Sequence, residues 1–252
     1  MNSSYLESLN YNELKEIALG MNIKIPKNKD ELIKIMLKCF QEYEKYKLEK
    51  YEKYEKYEKY EKLEQLGNKG KEGITYLVKD KNTGNIYAMK TFKKNKSINN
   101  IKKEAELQSL AAEFGISPVV IDVDIINKTI VMEKMDKHLF DIMKLQNGDL
   151  TETQQKQIIK IYKTLDEAKV FHGDSNILNY MYKGKKLYII DFGMSKKIDE
   201  LLIKKLGTNT PNMDIMTLGF ILKLKELNCP KSSYVYLLKF VGETEKIRFD
   251  LI

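Results

Sequence analysis

The chain of 252 residues contains no tryptophan, only two cysteines and only two histidines, and these shortages exclude several kinds of protein. Cys39 and Cys229 lie far apart in the sequence. They are too few for a disulfide framework, and they indicate a reducing compartment. With His138 and His172 as the two histidines and no cysteine cluster, the sequence argues against a zinc site.

The sequence also lacks a secretory signal peptide and any apolar run long enough to cross a bilayer. It therefore predicts a soluble intracellular protein without a membrane partner. The net charge of +8 and the pI near 9.1 suit a polyanionic partner, but a lysine-rich composition gives the same charge by default. The oligomeric state is not predicted.

Two polar stretches have the spacing of a phosphoryl-transfer site. Asp174 and Asn179 lie in Phe-His-Gly-Asp-Ser-Asn-Ile-Leu-Asn, and Asp191 begins an Asp-Phe-Gly triplet after an apolar strand. Phosphoryl transfer needs a carboxylate near the attacking hydroxyl, oxygen ligands for Mg²⁺, and cations around the phosphates. These side chains supply the first two requirements.

A glycine-rich turn lies upstream, in Leu-Gly-Asn-Lys-Gly-Lys-Glu-Gly, where the glycines are Gly67, Gly70 and Gly73. Because glycine has no Cβ, such a turn lets backbone N–H groups approach phosphates. An ordinary β-hairpin uses the same residues, so the turn indicates a nucleotide site only in combination with a lysine on the next strand.

Such a lysine ends the next predicted strand, in Ala-Met-Lys. Lys90 is either a cation for the phosphates of a nucleotide or one more surface lysine. The helix after it carries Glu104, the predicted ion-pair partner. Glu106 competes for that role from a different face of the helix.

The N-terminal region predicts two short helices joined by an extended segment. Asn12 is the predicted cap of the first helix, and Leu32 and Met36 lie on the apolar face of the second. The pattern resembles the SAP domain, a DNA-binding module, which makes residues 1–41 a candidate DNA-binding unit. The lysines that would contact phosphates are Lys24, Lys27, Lys29 and Lys34. A helical hairpin with solvated lysines is the alternative.

Residues 42–62 form a low-complexity segment in which Tyr-Glu-Lys recurs. Its i, i+4 Glu–Lys pairs predict a solvated helical linker, since each pair stabilises a helix by about 0.2–0.5 kcal/mol. Residues 63–252 then form the third predicted part of the chain.

The order of these motifs resembles the protein-kinase fold: glycine-rich loop, Ala-x-Lys, glutamate helix, hinge, His-x-Asp…Asn, and Asp-Phe-Gly. The His-Gly-Asp form and the short C-terminal part resemble small atypical kinases, including the KEOPS kinase, the RIO kinases and kinases of large DNA viruses. The resemblance implies an α+β, two-lobed kinase-like fold with a truncated C-terminal lobe, preceded by the SAP-like module and the helical linker. It also implies a location in the host cytoplasm or nucleus, or in the virion, if the chain is viral.

The resemblance implies a role for each polar residue, with ATP and Mg²⁺ as cofactors. Asp174 would accept or orient the substrate hydroxyl. Asn179 and Asp191 would hold Mg²⁺, and Lys90, held by Glu104, would bind the α- and β-phosphates.

The remaining roles concern the loop, the hinge and the supporting residues. Met132 would be the gatekeeper, with Glu133 and Met135 offering backbone groups to adenine. His172 would be a structural support, and Asp214 would brace the catalytic loop. The glycines that would cover the triphosphate are Gly67, Gly70 and Gly73.

The sequence departs from the usual kinase pattern at several positions. Gly173 replaces the arginine before the catalytic aspartate, and Asn176 replaces the lysine two residues after it. A cation for the γ-phosphate must therefore come from elsewhere. The sequence has no Ala-Pro-Glu motif, so the peptide-docking platform is largely missing.

These features favour an ATP-dependent Ser/Thr protein kinase that acts on a protein substrate and is recruited to DNA or chromatin. The alternatives are an ATPase or small-molecule phosphotransferase, and a pseudokinase scaffold that binds nucleotide and nucleic acid without phosphorylating protein. Two apolar helices, near residues 152–169 and 212–227, are expected in the core of the large lobe, with Thr210 and Pro211 beginning the second.

Overall fold

The computed structural model describes residues 3–21, 23–55, 59–67, 70 and 72–251. The chain divides into two compact units, Met1–Tyr60 and Glu61–Ile252. The predicted α+β fold is confirmed, since helices dominate the described part of the first unit and the second unit combines helices with β-sheets. Within the described residues, no helix has both the length and the apolar composition needed to cross a bilayer.

The first unit begins with helices α1 (Ser3–Ser8) and α2 (Tyr11–Gly20), of which α1 was not predicted. The cap of α2 is Asn10, so the prediction of Asn12 is wrong. Asn10 Oδ1 accepts hydrogen bonds from the N–H groups of Asn12 and Glu13, and the Glu13 carboxylate accepts one from the Asn10 N–H. This reciprocal capping box satisfies more donors than a cap at Asn12 would.

The third helix, α3 (Lys29–Glu55), runs without a break past position 41, where the sequence predicts the end of the SAP-like module. The division into module and linker therefore stays a prediction. Apolar residues of α1, α2 and the first turns of α3 form a separate small core, made of Leu6, Leu14, Ala18, Leu32, Ile33 and Met36.

The C-terminal end of the predicted linker is not helical. Residues 56–58 lie outside the described residues, and strand β1 spans Tyr60–Leu66. The extended form is favoured because β1 pairs with the strand that carries Tyr76. The Lys62 ammonium lies 4.8 Å from the centre of the Tyr76 ring. Helical Glu–Lys pairs, each worth only about 0.2–0.5 kcal/mol, do not outweigh strand pairing.

A five-stranded sheet and one helix form the small lobe of the second unit. The remaining strands are β2 (Gly73–Asp80), β3 (Ile86–Phe92), β4 (Val120–Asp124) and β5 (Thr129–Glu133), in the order β1-β2-β3-β5-β4. Helix α4 (Ile98–Glu113) lies between β3 and β4 in the chain and is capped by Ser97. Its apolar face packs on the sheet in a core made of Phe92, Ile101, Ala105 and Ile130.

The large lobe is mostly helical. Its helices are α5 (Leu139–Leu145), α6 (Glu152–Glu167), α7 (Glu200–Leu206), α8 (Thr217–Glu226) and α9 (Glu243–Arg248). Short strands form two small sheets, with β6 (Lys137–His138), β8 (Tyr180–Lys183) and β9 (Lys186–Ile189) in one and β7 (Val170–Phe171) and β10 (Lys196–Lys197) in the other. The predicted helix at 152–169 corresponds to α6.

The predicted helix at 212–227 differs at its start. A π-helical turn, Asn212–Met216, precedes α8. Pro211 stands at the cap position without a side-chain cap bond, and Thr210 donates its hydroxyl to Asp214 Oδ2. The π turn directs the buried side chain of Asn212 into the core.

Gly73 lets β2 lie close to β3, because it has no Cβ atom. A Cβ atom at this position would lie 2.2 Å from the backbone oxygen of Thr91. We expect Gly73→Ala to destabilise the second unit by roughly 1–3 kcal/mol, because the obstructing atom belongs to the backbone and cannot rotate away. Thermal unfolding of the full chain measures this. Gly70→Ala is the control, since its Cβ would lie 3.5 Å from the nearest atom. Equal melting temperatures for the two variants would contradict this account of the strand pair.

Candidate active site

Lys90 lies on β3, where it pairs with Thr75 of β2 and Ile130 of β5. Its ammonium lies 2.5 Å from Glu104 Oε1 and 2.8 Å from Asp191 Oδ1. One side chain thus joins the sheet, helix α4 and the Asp-Phe-Gly segment.

Burial controls the charges of this ion pair. Glu104 is 3% exposed, and its burial raises the pKa of its carboxyl despite the neighbouring ammonium. Burial alone would lower the pKa of Lys90, but the charges and hydrogen bonds of Glu104 and Asp191 outweigh it and raise that pKa. Lys90 therefore stays protonated. Glu106, the competing partner, is exposed.

Asp191 has a left-handed backbone with φ of +65°, a region that aspartate tolerates better than most residues. Burial acts to raise the pKa of its carboxyl, but the charge and hydrogen bond of Lys90 lower it more, so the group is ionised. The next residue, Phe192, is buried, and its ring lies edge-on to His172 at 4.9 Å. The Asp-Phe-Gly segment is thereby fixed against the predicted catalytic loop, residues 172–179.

The loop that carries Asp174 lies beside the Asp-Phe-Gly segment. Asn179 Nδ2 lies 3.5 Å from the backbone oxygen of Asp174, and the Ile190 N–H donates to the backbone oxygen of Asn179 at 2.9 Å. The second bond places Asn179 next to the residue that precedes Asp191. The structure thus brings Asp174, Asn179 and Asp191 to one region, which also contains Lys90.

The two departures from the kinase pattern have local causes. Gly173 has φ of +79°, and a Cβ there would lie 3.3 Å from the Met194 backbone oxygen. An arginine at this position would strain the loop. Asn176 Oδ1 accepts the Leu178 N–H and begins a 3-10 turn at Ile177. Asn176 is therefore a cap, and it brings no positive charge to the site.

His172 is fully buried between two backbone oxygens. Its Nδ1 lies 3.2 Å from the Asp174 oxygen and its Nε2 lies 3.0 Å from the Ile190 oxygen. Burial lowers the pKa of the imidazole, so the ring is neutral at physiological pH. A neutral ring has one N–H, so it donates a hydrogen bond to one of the two oxygens, and both nitrogens face the backbone instead of a substrate.

The residue that braces the catalytic loop is Asn212, and the assignment of this role to Asp214 is wrong. Asn212 Oδ1 accepts the His172 N–H at 3.0 Å, and Asn212 Nδ2 donates to Asp166 at 2.7 Å and to the Val170 oxygen at 2.8 Å. Asp214 is exposed and accepts hydrogen bonds from threonine hydroxyls. Asn212 has this role in place of Asp214 because the π turn directs Asn212 inward.

The glycine loop is described in part, because residues 68, 69 and 71 lie outside the described residues. Gly67 has φ of +68°, and the Gly70 N–H donates to the Gly73 oxygen at 2.9 Å. Gly73 is required by the close packing of β2 on β3. A role of these glycines in binding phosphates stays a prediction.

The predicted hinge follows β5. Met132 Sδ lies 3.5 Å from Gln108 Nε2, and Glu133 pairs with Lys183 through its side chain. The Glu133 N–H donates to the Val119 oxygen at 2.9 Å. Met135 is buried, and within the described part of the chain its N–H makes no hydrogen bond. A contact of Met135 or Glu133 with adenine stays a prediction.

Two charged residues of the site were not predicted. Glu72, from the glycine loop, lies 2.5 Å from Lys96 and 3.7 Å from Lys90. The carboxylates of Glu72, Glu104 and Asp191 have oxygens within 4.8 Å of one another, and the ammonium of Lys90 lies among them. In a chain with 44 Lys and Arg residues, nothing in the sequence distinguishes Lys96 from the rest.

The site suits Mg²⁺ at Asn179 and Asp191. Both offer oxygen atoms, which Mg²⁺ prefers, and the Asp191 carboxylate is ionised. The three-carboxylate cluster is less suitable, because the Lys90 ammonium fills it.

Comparisons with known proteins identify the chain's relatives. The family model for the protein kinase domain matches residues 60–212, more than half of the chain. A stretch of 113 residues, 41% of this chain, is 34% identical to the probable bifunctional tRNA threonylcarbamoyladenosine biosynthesis protein of Methanobrevibacter smithii and covers 20% of it. Another of 105 residues, 39% of this chain, is 31% identical to the KEOPS complex subunit Bud32 of Pyrococcus abyssi and covers 46% of it. The similarity therefore spans less than half of either relative.

Asn212→Ala should destabilise the large lobe by about 3 kcal/mol, because the buried His172 N–H and Val170 oxygen lose their partner and Asp166 keeps only its bonds from the backbone N–H groups of Asn212 and Met213. Thermal unfolding of the full chain measures this. Asp214→Ala is the control and should cost less than about 1 kcal/mol, since it removes exposed hydrogen bonds. The reverse order of these losses would restore the bracing role to Asp214.

Proposed function

The chain belongs to the protein kinase domain family, and we propose that it is an atypical ATP-dependent kinase that phosphorylates serine or threonine on a protein substrate. The observation that carries the proposal is the meeting of Lys90, Glu104 and Asp191 beside the loop of Asp174. These residues lie far apart along the chain, and phosphoryl transfer depends chiefly on charges positioned in this way.

In the proposed reaction, Asp174 orients the substrate hydroxyl and accepts its proton. Its Oδ1 is engaged by the Asn176 N–H at 3.0 Å, which leaves Oδ2 to face the hydroxyl. The hydroxyl oxygen attacks the γ-phosphorus while the bond to the β–γ bridging oxygen breaks.

In this proposal, different residues hold the phosphates and the adenine of the nucleotide. Lys90 binds the α- and β-phosphates, and Met135 and Glu133 offer backbone groups to adenine. Asn179 and Asp191 hold Mg²⁺, which would neutralise charge on the phosphates. Glu104, buried behind Lys90, keeps the ammonium directed into the site.

ATP hydrolysis without transfer to protein is the second candidate. It is favoured by Asn176, which brings no cation to the γ-phosphate, and by the lack of an Ala-Pro-Glu motif for peptide docking. The names of the relatives refer to tRNA threonylcarbamoyladenosine biosynthesis and to a KEOPS complex subunit. An ATPase within an RNA-modifying assembly would match them better than a free protein kinase.

We also propose that the N-terminal module binds DNA. Lys24, Lys27 and Lys34 are exposed on the segment before α3 and on its first turns. Lys29 is half-buried and donates to the Glu7 backbone oxygen at 3.1 Å, so its first role is to hold α1 in place. The proposed contacts are therefore made by the other three lysines.

Lys90→Met and Asp174→Asn should each reduce transfer of the γ-phosphoryl group by about a hundredfold or more. Labelled ATP with generic basic proteins, with buffer alone and with the chain itself measures phosphoprotein and free phosphate separately. Asp141→Asn, an exposed carboxylate on α5, is the matched control, and thermal unfolding checks that each variant is folded.

The products decide between the candidates. Labelled protein supports the kinase, and free phosphate that disappears in both variants supports the ATPase. Equal product from the wild type and both variants would overturn each of them, and MgATP binding without turnover would leave a pseudokinase.

The triple change Lys24→Gln, Lys27→Gln and Lys34→Gln should weaken binding of the full chain to duplex DNA and lower its salt dependence by about 0.9 per lost phosphate contact. Fluorescence anisotropy across a salt series measures both. The control removes the same charge from three exposed lysines of the second unit, Lys196, Lys197 and Lys204. Equal weakening by the two triple changes, or no binding at low salt, contradicts a DNA-binding module.

A further inference from the structure

Glu72 places a carboxylate inside the nucleotide site. Its Oε1 lies 2.5 Å from Lys96, and its Oε2 lies 3.7 Å from Lys90. The same Oε2 lies 2.5 Å from where a Cβ of Gly193 would stand, so Glu72 rests on the glycine of Asp-Phe-Gly. This oxygen is buried and has no hydrogen-bond partner among the described residues.

Lys96 is directed into the site by the loop between β3 and α4. Its N–H donates to the Lys93 oxygen at 3.0 Å, and its backbone oxygen accepts from Lys128 Nζ at 2.8 Å. Its side chain is only 12% exposed and lies 3.8 Å from Glu104 Oε2. The ammonium is therefore held at a fixed place beside Glu72 and Glu104.

While Glu72 stays in place, both ammonium groups that could bind a triphosphate are already paired with carboxylates. Two ammonium groups, Lys90 and Lys96, face the carboxylates of Glu72, Glu104 and Asp191. Glu104 is buried behind Lys90, and Asp191 is the proposed metal ligand. Glu72 is the carboxylate that repels an incoming phosphate and competes with it for both lysines.

We propose that Lys96 is a second phosphate-binding cation of this site, and that the Glu72 carboxylate takes the place of a phosphate until the nucleotide displaces it. The inference rests on the proposed binding of ATP. It supplies the cation that is missing at Asn176, since Lys96 becomes free to contact a phosphate once Glu72 moves.

A purely structural role predicts a different behaviour. If Lys96 served only to hold Glu72, and through it the glycine loop, then removing Lys96 would have no effect on nucleotide binding once Glu72 is neutral. A double-mutant cycle separates the two roles.

The experiment is calorimetric titration of the full chain with MgATP and, separately, with adenosine. The variants are Glu72→Gln, Lys96→Met and the double change. Matched controls are Glu106→Gln on α4 and Lys94→Met on the same loop as Lys96, both at exposed residues. Thermal unfolding without ligand confirms that each variant is folded.

We expect Glu72→Gln to lower the Kd for MgATP about fivefold, because a competing charge is removed. Lys96→Met should raise that Kd about tenfold or more, in both the wild-type and the Glu72→Gln backgrounds, as expected for loss of a charge-assisted contact. Adenosine, which has no phosphates, should bind all variants within about twofold, and the two controls should bind MgATP like the wild type.

The outcomes separate this inference from the proposed function. If the wild type binds MgATP but Lys96→Met has no effect in the Glu72→Gln background, Lys96 is not a phosphate ligand and the inference fails alone. If Glu72→Gln leaves the Kd unchanged or raises it, Glu72 is not a competitor. If the wild type binds adenosine but gains nothing from the phosphates, or binds neither ligand, the proposed function fails and the inference with it.

Discussion

The ammonium of Lys90 is the point at which three otherwise separate segments meet. It arises from the sheet, pairs with Glu104 on α4 and with Asp191 at the start of Asp-Phe-Gly. Glu104 is buried, and without this ammonium its carboxylate would keep only Lys96, at 3.8 Å, as a nearby cation among the described residues. Helix α4 and the Asp-Phe-Gly segment are therefore both joined to the sheet through one ammonium group.

A second set of contacts, centred on buried polar residues, holds the catalytic loop. Asp166, Asn212 and His172 form a chain of hydrogen bonds from α6 to the π turn and on to the loop. Phe192 packs edge-on against His172. A buried polar network is costly unless every member has a partner, so these residues restrict one another to a single arrangement. The loop is consequently placed by the large lobe, whereas Lys90 is placed by the small lobe.

The sequence predicted the residues whose order along the chain is distinctive. Lys90 on a predicted strand, Glu104 on the next helix and Asp191 after an apolar strand follow from local pattern and spacing. Asn212 could not be found in this way, because its role depends on a π turn that rotates it inward, and sequence periodicity assumes a regular helix. Lys96 and Glu72 owe their importance to tertiary proximity alone. Asn10 was missed as a cap because Asn12 offers the same side chain, and only the reciprocal bond of Glu13 decides between them.

The π turn at Asn212–Met216 has a geometric consequence for how this lobe tolerates change. One additional residue in a helical turn shifts the angular phase of everything after it by about 100°. The anchor at Asn212 and the apolar face of α8 therefore belong to two different helical phases that share one continuous backbone. Deletion of a single residue in this turn would rotate α8 relative to Asn212. Either Asn212 or the apolar face of α8 would then face water.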